Sequence, residues 1–323
     1  MGTPAACSEA EFIALFKQHQ SATTVAKILG KSPRAVQKRR KTLESRGVFL
    51  PTLDHRTVYN KPVVEHNHGV IRYDISDGQI LVGSDAHIWP GPLSTMQRAF
   101  LQFARTLKPA AVVANGDFFD GARNSRHPSI GWEHKPEVHE ELAALQNYMG
   151  EIKKVSPKSR RMWPLGNHDA RYENKLAAQV GEYKNIKGVH LKDHFDEDWI
   201  PCWRIDVNRG GDYAVIRHRE LGGEHADYRN VVNGGAHIVT GHDHRTGVVP
   251  YRNYAGLRYG VRCGFMGDSP LDPQFVNYLE AKEPNWHPAF VVLTFLGGRL
   301  LMPELVTKWD DKHVQFRGEI IAV

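Results

Sequence analysis

Ile80-Leu81-Val82-Gly83-Ser84-Asp85-Ala86-His87 is a short apolar run that ends on two residues able to bind a metal. The same design recurs four more times. Ala111-Val112-Val113-Ala114-Asn115-Gly116 leads into Asp117, and Met162-Trp163-Pro164-Leu165-Gly166 leads into Asn167-His168-Asp169. Tyr213-Ala214-Val215-Ile216-Arg217 leads into His218, and His237-Ile238-Val239-Thr240-Gly241 into His242-Asp243-His244. A short apolar run bounded by glycine or a turn reads as a buried strand. In layered α/β folds, binding sites lie beyond the carboxyl ends of strands. The five strand ends therefore predict one site assembled from across the chain.

Outward from these runs, the chain alternates strands and helices from residue 77. Amphipathic patterns predict helices over 93–107, 136–155 and 170–182. Beyond 186 the pattern turns to strands: 189–192, 202–207, 213–218, 238–240, 257–265, 289–295 and 300–304. Leu296-Gly297-Gly298-Arg299 joins the last two as a hairpin. This order predicts an α/β (α+β) fold of two packed mixed sheets flanked by helices.

The first 48 residues read as a separate, small all-α domain. Ser8-Glu9-Ala10-Glu11 has the form of a capping box, with Phe12, Leu15 and Phe16 on the buried face. A second short helix covers 23–29, Gly30-Lys31 turns the chain, and Ser32-Pro33 opens a third helix ending before Gly47. The spacing resembles the helix-turn-helix family over about 25 residues. One departure is Arg39, where that family favours an apolar residue, so Val36 and Leu43 are expected to anchor the third helix. Residues 49–76 carry Pro51, Asn60, Pro62, Asn67 and Gly69 with little periodicity and read as a linker; 77–323 form the large domain.

Charge sharpens this division. The chain has 323 residues and a net charge of +6. Residues 1–50 hold nine Lys/Arg and three acids, so the remaining 273 carry 33 bases and 33 acids. All the excess positive charge sits on the first module, which points to a polyanionic partner. Arg34, Lys38, Arg39, Arg40 and Lys41 lie on the third helix, where cations neutralise phosphates when a helix enters a major groove. DNA is the expected partner of such a helix; the alternative is a protein-contact or vestigial module. A homodimer is also compatible, since such modules often pair. Three scattered cysteines imply no disulfide framework, the N-terminus lacks a signal-peptide pattern, and no apolar run reaches the ~18–20 residues of a membrane span. A cytoplasmic location without membrane attachment is expected.

In order, the strand ends spell Asp-x-His, Gly-Asp-x-x-Asp, Gly-Asn-His-Asp, a single His, and Gly-His-x-His, with spacings of 32, 50, 51 and 24 residues. The set resembles the calcineurin-like metallophosphoesterases. The compact layout is similar to phage-type exonucleases or phosphoesterases of that superfamily carrying an N-terminal helix-turn-helix. The resemblance implies a dinuclear centre of divalent transition metals. Asp85, His87, Asp117 and His244 would hold one metal, and Asp117, Asn167, His218 and His242 the other. Mixed imidazole and carboxylate ligands suit Mn first, then Fe, Zn or Ni. Two metals ~3.5–4 Å apart clamp the attacking and leaving oxygens, and a hydroxide between them attacks phosphorus in line. By the same resemblance His168 faces the leaving oxygen and Asp169 orients it. Asp120 supports a ligand or the loop, and Asp243 serves its turn. Arg171, Arg217 and Arg219 are phosphate-binding or surface residues, and His127, Trp132 and His134 follow in the long segment after the second motif.

The fold leaves the substrate open. The basic module favours a DNA phosphodiesterase or nuclease. The alternative is a small-substrate phosphatase or cyclic-nucleotide phosphodiesterase with the first module as a tether. A regulator with a degenerate metal domain is the third reading, and the complete ligand set argues against it.

Overall fold

The structure, a computed structural model, describes residues 7–48, 50, 69–126, 132, 134–267 and 282–323. The chain divides into two compact units, Met1–Asn67 and His68–Val323.

The first unit contains α1 (Glu9–His19), α2 (Ala22–Leu29) and α3 (Pro33–Glu44). Ser8 and Glu11 form the expected capping box on α1, and Ser21 and Ser32 cap the next two helices. Gly30 takes a left-handed conformation at the end of α2, which lets the chain turn sharply into α3. The small core is Phe12, Phe16, Val25, Ala26, Val36, Leu43 and Leu50.

In the second unit the strands, in chain order, are β1 (Val70–Tyr73), β2 (Gly78–Gly83), β3 (Ala111–Ala114), β4 (Arg160–Pro164), β5 (Trp199–Cys202), β6 (Arg204–Val207), β7 (Ala214–Ile216), β8 (His237–Thr240), β9 (Thr246–Asn253), β10 (Gly256–Cys263), β11 (Ala289–Leu296), β12 (Arg299–Leu300), β13 (Glu304–Lys308), β14 (His313–Phe316) and β15 (Glu319–Ala322). The helices are α4 (Thr95–Leu107), α5 (Val138–Val155), α6 (Asp169–Gln179) and α7 (Ala226–Gly234). One sheet runs β1-β6-β7-β8-β10-β9; the other runs β15-β14-β13-β11-β2-β3-β4-β5, with β12 paired to β11. Strands β2, β3, β4 and β5 are mutually parallel, and so are β7 and β8.

The strand period of two explains the layering. Ile80 and Val82 point into a core shared with Ile205, Ile216, Val239 and Val261 of the other sheet. Leu81 points the other way, into a core with Phe100 and Phe103 of α4 and Leu145 and Ile152 of α5. Both faces of β2 are thus dry, which is why its sequence is continuously apolar rather than alternating.

Several expectations need correction. Residues 70–73, inside the stretch read as linker, form edge strand β1, parallel to β6. Residues 49 and 51–68 of that stretch lie outside the described residues. The run 202–207 is two strands in different sheets, with Trp203 at the crossover, 43% exposed. Apolar patterning does not reveal a change of sheet. The run 189–192 is no strand; Leu191–His194 is a 3-10 turn, stapled by Asp193 to the Gly188 amide. The run 300–304 breaks at Pro303, between β12 and β13, where proline supplies no amide for a ladder. Helix α7 and strands β9, β14 and β15 were not anticipated from the sequence.

Candidate metal centre

Each predicted ligand sits just past a strand. Asp85 and His87 follow β2, Asp117 follows β3, Asn167 follows β4, His218 follows β7, and His242 and His244 follow β8. The first three strands belong to one sheet and the last two to the other, so the site closes over the ends of both. Close approach requires glycine at three points. A Cβ on Gly116 would collide with His218, one on Gly166 with Asp117, and one on Gly241 with Ser84 Oγ and Asp85 Oδ2.

The ligand atoms form two adjoining clusters. Asp85, His87 and His244 offer atoms within 4.8 Å of one another, and so do Asp117, His218 and His242. Asp85 Oδ2 accepts from Ser84 Oγ (2.6 Å) and the His242 amide (2.9 Å). This turns Oδ1 inward, 3.2 Å from His244 Nε2 and 4.0 Å from His218 Nε2. Asp117 Oδ1 accepts from the His168 amide (2.8 Å), and Oδ2 lies 3.1 Å from His218 Nε2. The outer ring nitrogens are held by the protein: His87 Nδ1 by Asp120 Oδ1 (3.0 Å) and His218 Nδ1 by the Asn115 carbonyl (2.9 Å). That leaves each Nε2 facing the centre, the arrangement found when imidazole binds a metal.

The residues fit divalent metals. Asn167 Oδ1 is buried without a hydrogen-bond partner, and Asp85 Oδ1 and His218 Nε2 meet only other candidate ligands. His87 Nε2 and His244 Nε2 approach to 3.4 Å. Inward lone pairs left unmatched by donors suit a cation, and mixed nitrogen and oxygen donors suit transition metals. The electrostatics agree. Burial acts to raise Asp85, yet the facing His218 and His244 rings hold it at about 2. Burial acts to lower His218, yet Asp117 and Asp85 lift it to about 10. The two carboxylates draw positive charge to this point.

His168 stands beside the ligands rather than among them, with Nε2 3.9 Å from Asp117 Oδ2. Its orienting partner is Asp120, whose Oδ1 lies 2.6 Å from His168 Nδ1. Asp169, expected to orient His168, instead accepts the backbone amides of Asp117 (2.8 Å), Phe119 (2.9 Å) and Gly166 (2.8 Å). Its place at the start of α6 lets it tie two ligand loops together but turns it from the ring. Burial, reinforced by Asp117, raises Asp169 to about 6. Asp120 also accepts from Trp89 Nε1 at 3.0 Å. It thus joins a metal-facing histidine, His168 and an indole, a role that needs the folded loops to be seen.

Sequence reading also missed Ser84, Asn115 and Arg262. Ser84 and Asn115 directly precede motif residues, and that adjacency was the available signal. Asp243 accepts from Arg262 at 3.1 Å and from the Arg245 amide at 3.2 Å, bracing the loop that carries His242 and His244. His134 and Trp132 enter none of the ligand clusters, and His127 lies outside the described residues.

The five basic residues of α3 are not equivalent. Arg34, Lys38 and Lys41 are exposed and line one shallow groove with Gln37, Thr42 and Ser45. Arg39 instead lies 4.7 Å over the Phe12 ring and donates to the Cys7 carbonyl at 3.0 Å. Arg40 pairs with Glu44 at 2.8 Å and lies over Phe16. Both are engaged inside their own unit, and this explains a cation at Arg39, where an apolar residue was expected: its stem and flat head cover the core.

The calcineurin-like phosphoesterase family profile matches residues 78–246. Gene 54 protein of Mycobacterium phage L5 is 26% identical over 151 residues, covering 44% of this chain. The matched part spans 58% of that relative's length. Among solved structures, wild-type Vps29 from Entamoeba histolytica complexed with zinc aligns over 76% of this chain and 98% of its own, at 13% identity and a TM-score of 0.39. Yfce, a phosphoesterase from E. coli, aligns over 76% and 97%, at 13% identity and 0.34. A dimetal phosphatase from Danio rerio aligns over 77% and 99%, at 11% identity and 0.35.

Proposed function

The chain belongs to the calcineurin-like phosphoesterase family, and from that premise we propose that it is a hydrolase of phosphoester bonds that cleaves phosphodiesters of DNA at a dinuclear metal centre. The observation that carries the metal reading is the pair of adjoining ligand clusters with buried, unpartnered acceptor atoms. Asp85, His87 and His244 would hold one metal, and Asp117, Asn167, His218 and His242 the other, with Mn the first choice. When bound, such a pair supplies Lewis acidity and a nucleophile from water at neutral pH. His168, oriented by Asp120, is placed to face the leaving oxygen. Ser84, Asn115 and Asp120 fix ligand orientation, and Asp169 holds the Asp117 and Gly166 loops in register.

The DNA reading rests on the exposed cations Arg34, Lys38 and Lys41. Balanced charge across the rest of the chain favours a second reading, a small phosphoester substrate with the first unit as a tether. Neutralising the three cations together separates the two. Under the DNA reading, cleavage of labelled duplex weakens at moderate salt, and the log–log salt slope falls by about 0.9 for each phosphate no longer neutralised. Hydrolysis of bis-p-nitrophenyl phosphate stays at the wild-type rate. Unchanged DNA cleavage in the triple variant, or no cleavage by the wild type with any metal, would reject a nuclease guided by this helix.

A further inference from the structure

Arg171 holds a position that the reaction outlined above leaves unexplained. It lies in the first turn of α6, its side chain 22% exposed, directly beside His168. One guanidinium nitrogen donates to the Asp120 carbonyl at 3.0 Å and lies 3.7 Å from the Asp120 carboxylate, an anchor that leaves the other arm to move. Another lies 3.0 Å from His168 Nε2. A guanidinium only donates, so this ring nitrogen accepts, and the ring proton sits on Nδ1 against Asp120. The chain makes room for this. Gly121 has a left-handed backbone, and a Cβ there would come within 3.1 Å of Arg171 Cβ and of the Phe119 ring. The neighbouring Arg217 is already paired with Glu220 at 2.6 Å, and Arg219 is exposed.

A ring nitrogen is a weak partner for a guanidinium compared with an anionic oxygen, which accepts a shorter and roughly twice as strong hydrogen bond. The nitrogen it occupies is the one that faces Asp117. We propose that Arg171 is the substrate-binding residue that grips a non-bridging phosphoryl oxygen. It stays anchored on the Asp120 carbonyl while its second arm moves from His168 Nε2 to the substrate. The move places a fixed positive charge where phosphoryl charge develops. It also uncovers His168 Nε2 only when a phosphoryl group is present. This rests on the phosphoester reading and adds to it a specific preference for anionic phosphoryl groups at this position.

The test uses the full, Mn-loaded chain with Arg171→Ala, Arg171→Gln and Arg171→Lys. Inorganic phosphate serves as inhibitor and direct ligand, and bis-p-nitrophenyl phosphate as substrate. Phosphate affinity is expected to fall on the order of 10- to 100-fold in Arg171→Ala, the size of one charge-assisted hydrogen bond. KM for the diester rises, and added guanidinium ion restores part of the loss. Lysine, a point charge without the fork, recovers less than guanidinium geometry would. Metal content and thermal midpoint remain those of the wild type. Should Arg171→Ala fail to fold, Arg171→Gln, which keeps a donor for the Asp120 carbonyl, carries the same expectation. Unchanged phosphate affinity in a folded, metal-loaded variant would overturn the proposal. A wild type that binds phosphate through Arg171 but hydrolyses no ester would instead overturn the functional reading, so the two failures differ.

Discussion

Five of the site residues, Asp85, His87, Asp117, His242 and His244, have left-handed backbone conformations. For a residue with a Cβ this costs on the order of 1–3 kcal/mol. Such strain persists where surrounding structure fixes it, and here hydrogen bonds pin each loop across the strand ends. The Asp85 and His87 amides donate to the Gly116 and Asp117 carbonyls at 3.0 and 2.9 Å. Glu141 of α5 serves the same purpose from behind, accepting the Gly121 and Ala122 amides. Burial, together with the nearby Asp120 charge, raises its carboxyl to about 8. The folded value therefore lies above the ordinary 4.5 of an unfolded glutamate. The folded chain holds the proton more tightly, so the contribution is complete below pH 4.5 and drains away as pH rises to 8. Glu141→Gln, which keeps the neutral form, should flatten the fall in stability between about pH 4.5 and 8. Its thermal midpoint should exceed that of the wild type at the alkaline end by about 2–4 °C for each kcal/mol recovered. Parallel midpoint-versus-pH curves for the two proteins would reject this account of Glu141.

At the scale of elements, the strands are legible and the crossings between them are not. Residues 80–83 and 111–114 announce themselves because a strand buried on both faces must be apolar throughout. The ligands announce themselves because only a few residue types bind metals, and all lie just past such runs. The pairing of His168 with Asp120 rather than Asp169 was hidden because it depends on how the loops after β3 and β4 meet. The switch of sheets at Trp203 was hidden for a similar reason: the same apolar pattern serves either sheet. Glycine marks where the elements meet most closely. The structure predicts that Gly241→Ala, by pushing Ser84 and Asp85, displaces the loop after β8 and weakens metal binding at least tenfold. Melting should show a protein that still folds cooperatively. Wild-type metal affinity in that variant would mean that the loops have slack the geometry does not show.

On the scale of the whole molecule, the two units differ in charge and in chemistry. The first carries the chain's entire excess of positive charge, and the second carries every residue of the ligand clusters. The sequence shows that division through helix caps and through charge, since residues 1–50 and the remainder differ so sharply. It does not show that Arg39 and Arg40 are engaged with Phe12, Phe16 and Glu44. Among the described residues no helix is long and apolar enough to cross a membrane. What unifies the large unit is the meeting of strand ends from two sheets, where candidate ligands from five loops converge. The most direct test is to titrate Mn into metal-stripped protein, counting bound ions per chain while following phosphodiester hydrolysis. Two ions should bind, with hydrolysis appearing as the second site fills and vanishing on chelation. A single ion at saturation, or hydrolysis indifferent to chelator, would contradict the dinuclear centre.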